Sequence, residues 1–322
     1  MGEFKQTTSL AGKLNIYILF AVGVILVLGF LYVSYALNSA QNKSYHELAT
    51  GLKHDILKAE KAKKNVAIAI AVTISSNEDI VKALETNDRA LALSALNNLH
   101  KKFANGTNYK NVKVHLHTSD VKSFVRDWSP KKFGDDLSSF RHTINKVAQT
   151  RQPLAAIEVG RAGLVLRGLA PIFNEKGTYL GSVEAIMGFN LIVKSFKKDK
   201  IDLLILMDEK KKRGNALTNE SKVGLFYISQ KAINNAFKTE VTSNISQILN
   251  QEFFTTNTGY FTYVPIKGLD NDVVGHYIIG VSNEKANSVI NDIELMVVNI
   301  IIFVFIALVV LMSIVLVVSK KV

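Results

Sequence analysis

The 322-residue chain has no cysteine, four prolines and a single tryptophan, Trp128. Without cysteine it has no disulfide, no thiolate metal site and no thiol nucleophile. Scarce proline rules out proline-rich linkers and leaves long helices uninterrupted. Several catalytic motifs are also missing: Gly-x-Ser-x-Gly, His-Glu-x-x-His and the phosphate-cradling Gly-x-x-x-x-Gly-Lys. The glycines of "GRAGLVLRG" fall in an expected hairpin, not in a strand-to-helix turn, so they predict no phosphate loop. We therefore expect no enzyme and no cofactor. Acidic residues are the minority, 27 against 39 basic, for a net charge of +12. Such a surplus favours anionic small molecules or anionic surfaces, and no nucleic-acid recognition motif accompanies it.

Two stretches are rich in what the rest of the chain has little of. Leu14–Leu37 and Leu295–Val318 each run 24 residues without a charge. At ~1.5 Å per residue either covers a bilayer core of ~30 Å. The first is too long for the ~7–15-residue apolar core of a signal peptide. The second carries Asn299, which a membrane helix satisfies across a helix pair. Lys5 and Lys13 precede the first run and Lys320 and Lys321 follow the second, so the positive-inside rule puts both ends in the cytoplasm. Residues 38–294 are then exported to the periplasm, carrying 35 of the basic and 26 of the acidic residues. The opening Met-Gly-Glu-Phe reads as a short leader within a cytoplasmic segment 1–13. Residues 319–322 read as the start of a cytoplasmic output region.

Between the two spans the periodicity predicts a long helix from Asn38 to about Ile74, then two short helices. Ser76 or Asn77 caps the first, which runs to Ala83; Asn87 or Asp88 caps the second, from Arg89 to about Phe103. The period then changes to that of strands, at about 112–118, 122–128, 153–161, 163–173 and 179–189, with a helix over 135–150. A lysine-rich link, Leu191–Lys200, leads to a strand at 201–208, a helix over "YISQKAINNAF" and a hairpin of 259–266 with 273–283. The fold class expected is α+β: two PAS-like antiparallel-sheet modules on a long N-terminal helix, flanked by two transmembrane helices. The divisions are 38–110 for the stalk and short helices, 111–192 for the membrane-distal module, 193–290 for the membrane-proximal module and 295–318 for the second span.

Five features resemble the double Cache (dCache) sensing domains of bacterial methyl-accepting chemotaxis proteins and sensor kinases. They are the span–helix entry, "NEDIVKALETNDRALALSALNNL", "VHLHTSDVKSFVRDW", "IEVGRAGLVLRGLAPIFNEKGTYLGSVEAIMG" and the second span. The resemblance implies a distal module that holds a small-molecule ligand and a homodimer that signals through the membrane helices to cytoplasmic partners. It also implies that Arg126 and Trp128, matching an Arg-x-Trp pair of amino-acid-binding relatives, grip a ligand carboxylate. Ser129 departs from the aromatic expected there.

Strand parity places His115 and His117 on one face of their strand and groups Phe124, Arg126 and Trp128; Val165 and Arg167 share a face, and Glu184 opposes Val183 and Ala185. An arginine fork meets a carboxylate through two charge-assisted hydrogen bonds, and an aromatic wall holds the fork. The expected ligand residues are therefore His115, His117, Arg126, Trp128, Phe140, Arg141, Arg161, Arg167 and Glu184. For each arginine the competing reading is a solvated position, or a pair with Glu158, Glu184, Asp135 or Asp136. The two histidines have no third metal ligand near them in sequence, so we expect them to be pocket or surface groups and not a metal site. The functional expectation is the sensing portion of a chemoreceptor for a small carboxylate. The alternatives are the sensor of a histidine kinase or cyclic-dinucleotide enzyme, or a membrane-anchored adhesion or scaffold protein.

Overall fold

Helix α1 runs without a break from Leu10 to Ser75, in the computed structural model that describes residues 10–214, 216–288 and 291–319. The expected leader, Lys5, Lys320 and Lys321 lie outside those residues. The chain divides into two units, one made of the residues up to Leu48 and from Asn283 onward, the other of Ala49–Ser282. In the first, α1 within Ile16–Ser75 holds a window of mean hydropathy 2.8, and Val297–Ile314 holds one of 3.1, with nothing buried in either. Both helices are thus long and apolar enough to cross a membrane.

In the second unit α1 buries Ala49, Leu52, Ile56, Lys63, Ala67, Ile70 and Ile74, spaced by three, four or seven residues along one helical face. Asn77 starts α2 (Glu78–Glu85) by accepting from the Ile80 amide at 3.1 Å, and Asp88 starts α3 (Arg89–Gly106) by accepting from Ala90 and Leu91. The distal sheet follows: β1 (Lys113–Thr118), β2 (Ser123–Arg126), helix α4 (His142–Thr150), β3 (Leu154–Gly160), β4 (Gly163–Phe173) and β5 (Tyr179–Met187). Its strand order is β2-β1-β5-β4-β3, antiparallel throughout. The proximal part comprises α5 (Asn190–Lys198), β6 (Ile201–Asp208), β7 (Lys222–Val223), β8 (Phe226–Ile228), α6 (Asn235–Asn250), β9 (Phe253–Thr255), β10 (Gly259–Lys267) and β11 (Val273–Ser282). Its order is β7-β8-β6-β11-β10-β9. The short α7 (Asn283–Ser288) and α8 (Asn291–Ser319) close the chain.

Three expectations need correction. The helix expected over 135–150 begins only at His142, because residues 127–141 are held as a loop by side chains described below. The lysine-rich link is a helix, α5, whose Ile192, Val193 and Phe196 are buried while its lysines stay wet. Only the last three residues of "YISQKAINNAF" are helical: Phe226–Ile228 pairs with β6, and the helix starts at Asn235 and continues to Asn250. There Phe237, Val241 and Ile248 pack with Leu204, Leu206, Phe261 and Ile278 of the sheet. Asn234 caps that start through the Ala236 and Phe237 amides. The tertiary pairing of Phe226–Ile228 with β6 outweighs its weak helical pattern.

Register divides the distal sheet into two unlike faces, since directly paired residues point the same way. One row reads Ala155–Gly168–Ala185–Val114 across β3, β4, β5 and β1. Its small side chains admit α1, and a Cβ on Gly168 would lie 2.2 Å from the carbonyl carbon of Ala67. The adjacent row reads Leu154–Leu169–Glu184–His115–Arg126. That face is covered by the 127–141 loop and by α4, whose Ile144 and Val147 pack with Leu137 on Leu169.

Candidate functional site

Three neighbouring rows on the face away from α1 assemble a polar cluster. The central row contributes Glu184 and His115, the next contributes Arg167, and the third contributes Ser182, His117 and Ser123. Arg141, the residue before α4, reaches in from above. Glu184 is fully buried, and its Oε1 accepts from Arg141 Nη2 and from Arg167 Nη1, the latter at 2.6 Å. Glu158 is held less tightly. Its Oε2 accepts from Arg141 Nε and Thr143 Oγ1, each at 3.3 Å, and lies 3.0 Å from Arg167 Nε without hydrogen-bond alignment.

The second oxygen of Glu184 faces the imidazoles, 3.6 Å from His115 Nδ1 and 3.9 Å from His117 Nε2. Each ring is fixed from behind by a serine. His115 Nε2 shares a 2.8 Å hydrogen bond with Ser123 Oγ, and His117 Nδ1 one of 2.9 Å with Ser182 Oγ. Burial pushes the pKa of both histidines down, that of His117 well below 6.5, with His115 adding to the effect. Burial would raise the Glu184 carboxyl, but the Arg141 and Arg167 guanidiniums outweigh it and hold it well below the usual carboxylate range. The cluster therefore balances two guanidiniums against two carboxylates around neutral imidazoles. His117 Nε2, Glu158 Oε1 and Glu184 Oε2 are buried without a hydrogen-bond partner among the described residues.

His115, His117 and Glu184 bring their donor atoms within 4.8 Å of one another. The third metal ligand that the sequence did not offer nearby thus comes from β5. Electrostatics oppose its use, because a dication would add two positive charges beside Arg141 and Arg167 in a cluster that is already neutral.

The remaining expected residues are not part of this cluster. Arg126 is buried but forks onto Asp135, with both bonds at 2.7 Å, and donates to the Lys132 carbonyl at 2.8 Å. Its job is to pin the 127–141 loop to β2. Arg89 helps from α3, donating to the Phe124 and Pro130 carbonyls and lying 3.3 Å over the Phe133 ring. Trp128 lies beyond the end of β2, 41% exposed, its ring set edge-on to that of His115 with the ring centroids 5.8 Å apart. Phe140 is 42% exposed and no wall of the cluster, and Arg161 is exposed in the β3–β4 turn. Strand parity failed at Phe124 because of a bulge between β1 and β2, which sets Ser123, and not Phe124, opposite His117. Glu158 and Thr143 were foreseeable only as a pairing partner and as part of a helix; Ser123 and Ser182 left no sequence signal.

Solved structures to which the chain is similar include sensory domains from several bacteria. The sensor domain of the histidine kinase DctB from V. cholerae is 11% identical, with 78% of this chain and 98% of that one covered and a TM-score of 0.43. The ligand-binding domain of the Pseudomonas fluorescens chemoreceptor CtaA, in complex with L-isoleucine, is 13% identical, with 79% and 97% covered and a TM-score of 0.41. No curated protein sequence matches the chain. Residues 41–285, spanning both sheets, match the dCache_3 family, described as the double sensory domain of two-component sensor kinase, and the chain belongs to that family.

Proposed function

We propose that this chain is the sensing and transmembrane-signalling portion of a two-pass bacterial receptor of the chemoreceptor type, acting as a homodimer, and that its distal module receives a small carboxylate at Arg141 and Arg167. The observation that carries the reading is the unequal grip of these two arginines on their own carboxylates. Glu184 accepts an aligned hydrogen bond from each guanidinium, whereas Glu158 is held by 3.3 Å and unaligned contacts. An incoming carboxylate would exchange with Glu158, whose loss releases the tie from β3 to Thr143 at the start of α4. Carboxylates are what two guanidinium forks recognise best, so the occupied cluster is already complementary to such a ligand.

Signalling requires that the two states bind ligand unequally. Arg167 and Gly168 are adjacent in β4, the first in the cluster and the second against α1. A small shift of β4 at the cluster would therefore be felt by α1, and the unbroken helix to Leu10 supports α1 as the element that conveys it. The family description, which refers to a sensor kinase, favours a histidine kinase as the alternative output.

The test is a thermal-shift screen of the full chain in nanodiscs against organic acids, amino acids and amines. A ligand at ~100 times its Kd stabilises by about 2.7 kcal/mol. Binding should be abolished by Arg167→Lys and strengthened by Glu158→Gln, which removes the internal competitor. A screen in which no hit is lost in Arg167→Lys would sink the proposal.

A further inference from the structure

A concavity lies outside the polar cluster. It is a cleft of about 410 Å³ where α1, the segment before β1, α5 and the segment after β8 meet. Lys63 of α1, Lys194 of α5 and Lys231 after β8 line it, with Asn108, Asn111 and Asn190, and none of its lining residues is acidic. Lys63 is only 5% exposed, yet no hydrogen bond or ion pair reaches its ammonium among the described residues. A buried ammonium without a partner is costly and is ordinarily paired. Burial alone lowers the pKa of Lys63 from 10.5 to about 8.

From this geometry we infer that the cleft is a binding site for a small oxyanion carrying two or more negative charges, such as a phosphate, a sulfate or a polycarboxylate. Three lysines line one concavity with no acidic residue among them, so an anion seated there would meet positive charge from each of three segments. Lysines supply point charges in place of planar forks, which suits several oxygens arranged around a centre better than one flat carboxylate. The asparagine amides add neutral donors. Asn190 Oδ1 already accepts from the Lys231 and Ala232 amides, at 2.9 and 3.4 Å, which fixes the segment that carries Lys231 beside α5. The bound anion would join Lys63 on α1 to Lys194 and Lys231, so it would set how firmly α1 is held at the junction of the two sheet modules. This second input is independent of Arg141 and Arg167.

The experiment uses the full chain in phosphatidylcholine nanodiscs, with inorganic phosphate, sulfate or citrate titrated against potassium chloride at equal ionic strength. Two readouts are followed, the thermal midpoint and the labelling of Lys63 by an amine-reactive reagent at pH 8, mapped by mass spectrometry. The expectation is a midpoint rise above the chloride control, together with several-fold protection of Lys63. Lys63→Met should fold at least as well as the wild type, because it removes an unpaired buried charge, and should lose the rise. Lys194→Ala with Lys231→Ala should weaken half-saturation about tenfold or more, the worth of one charge-assisted hydrogen bond. Arg161→Ala, at an exposed position in the β3–β4 turn, should leave all of this unchanged. A midpoint no higher than in chloride, an equal rise in Lys63→Met, or unprotected Lys63 would overturn the inference.

Discussion

Gly168 of β4 rests against the backbone of Ala67 in α1, so closely that an added Cβ would lie 2.2 Å from one backbone atom and 2.3 Å from the next. Neither contact is with a side chain that could rotate aside. The next residue back, Arg167, has its guanidinium on Glu184 at 2.6 Å on the opposite face of the sheet. One peptide unit therefore links the charged cluster to the helix that leads toward the apolar segment.

Gly168→Ala should force α1 and β4 apart. Overpacking of this kind costs roughly 1–3 kcal/mol, and at ~2–4 °C per kcal/mol for a unit of this size the midpoint should drop by about 2–12 °C. Thermal unfolding of the full chain in detergent measures it. An unchanged midpoint would mean that α1 does not seat on β4 as described.

Arg167→Met should be more damaging than its exposure suggests, because it leaves Glu184 and Glu158 short of a counter-charge. Breaking a buried pair from one side costs about 3–5 kcal/mol. Adding Glu158→Gln restores the charge balance, so the double variant should recover part of the loss in urea denaturation. If the two effects simply add, the residues are not coupled.

The histidines set an acid limit. Their folded-state pKa values lie below 6.5 because burial disfavours the imidazolium, so the unfolded chain binds protons that the folded chain refuses. Stability should be full above pH 6.5 and fall as the pH drops below it. A second loss should begin near 4.5, where unfolded Glu184 takes up a proton that the folded carboxylate does not. His100 acts in the opposite direction. Its hydrogen bond to Asp127 raises its pKa, so it stabilises fully below pH 6.5 and loses that contribution as the pH rises through the folded value. Denaturation midpoints from pH 7.5 to 4 should therefore show a shallower first step in His117→Gln. An identical step would assign that proton uptake to other groups.

Micromolar zinc or nickel should leave the thermal midpoint unchanged, despite the convergence of His115, His117 and Glu184. Two guanidiniums already share the Glu184 carboxylate, and a dication would leave the buried cluster with an uncompensated charge. A midpoint rise abolished by His117→Gln would reverse this reading.

Charge-free runs of 24 residues, a change of period from helix to strand and the two helix caps, each to within one of two neighbouring residues, were legible in the amino-acid order alone. Each is a local signal, carried by residues within a few positions of one another. Strand parity likewise separated His115 and Glu184 from their apolar neighbours, while it left Arg167 on a face with Val165. The sequence alone also determined the membership of the dCache class, through segments distributed over residues 41–285.

Only the tertiary structure decided which charges meet. Arg126 and Trp128 looked like the ligand grip, but Arg126 is taken by Asp135, nine positions on, while Arg141 and Arg167 share Glu184 from 43 and 17 positions away. Strand order and register set those encounters, and no local pattern encodes register across β1, β5 and β4. A single bulge brought Ser123 beneath His115, and pairing with β6 drew Tyr227 and Ile228, the first residues of an expected helix, into a strand. Lys63 is the sharpest case: by order it is one lysine in a charged helix, and only packing withdraws it from water beside a cleft with no acid to meet it.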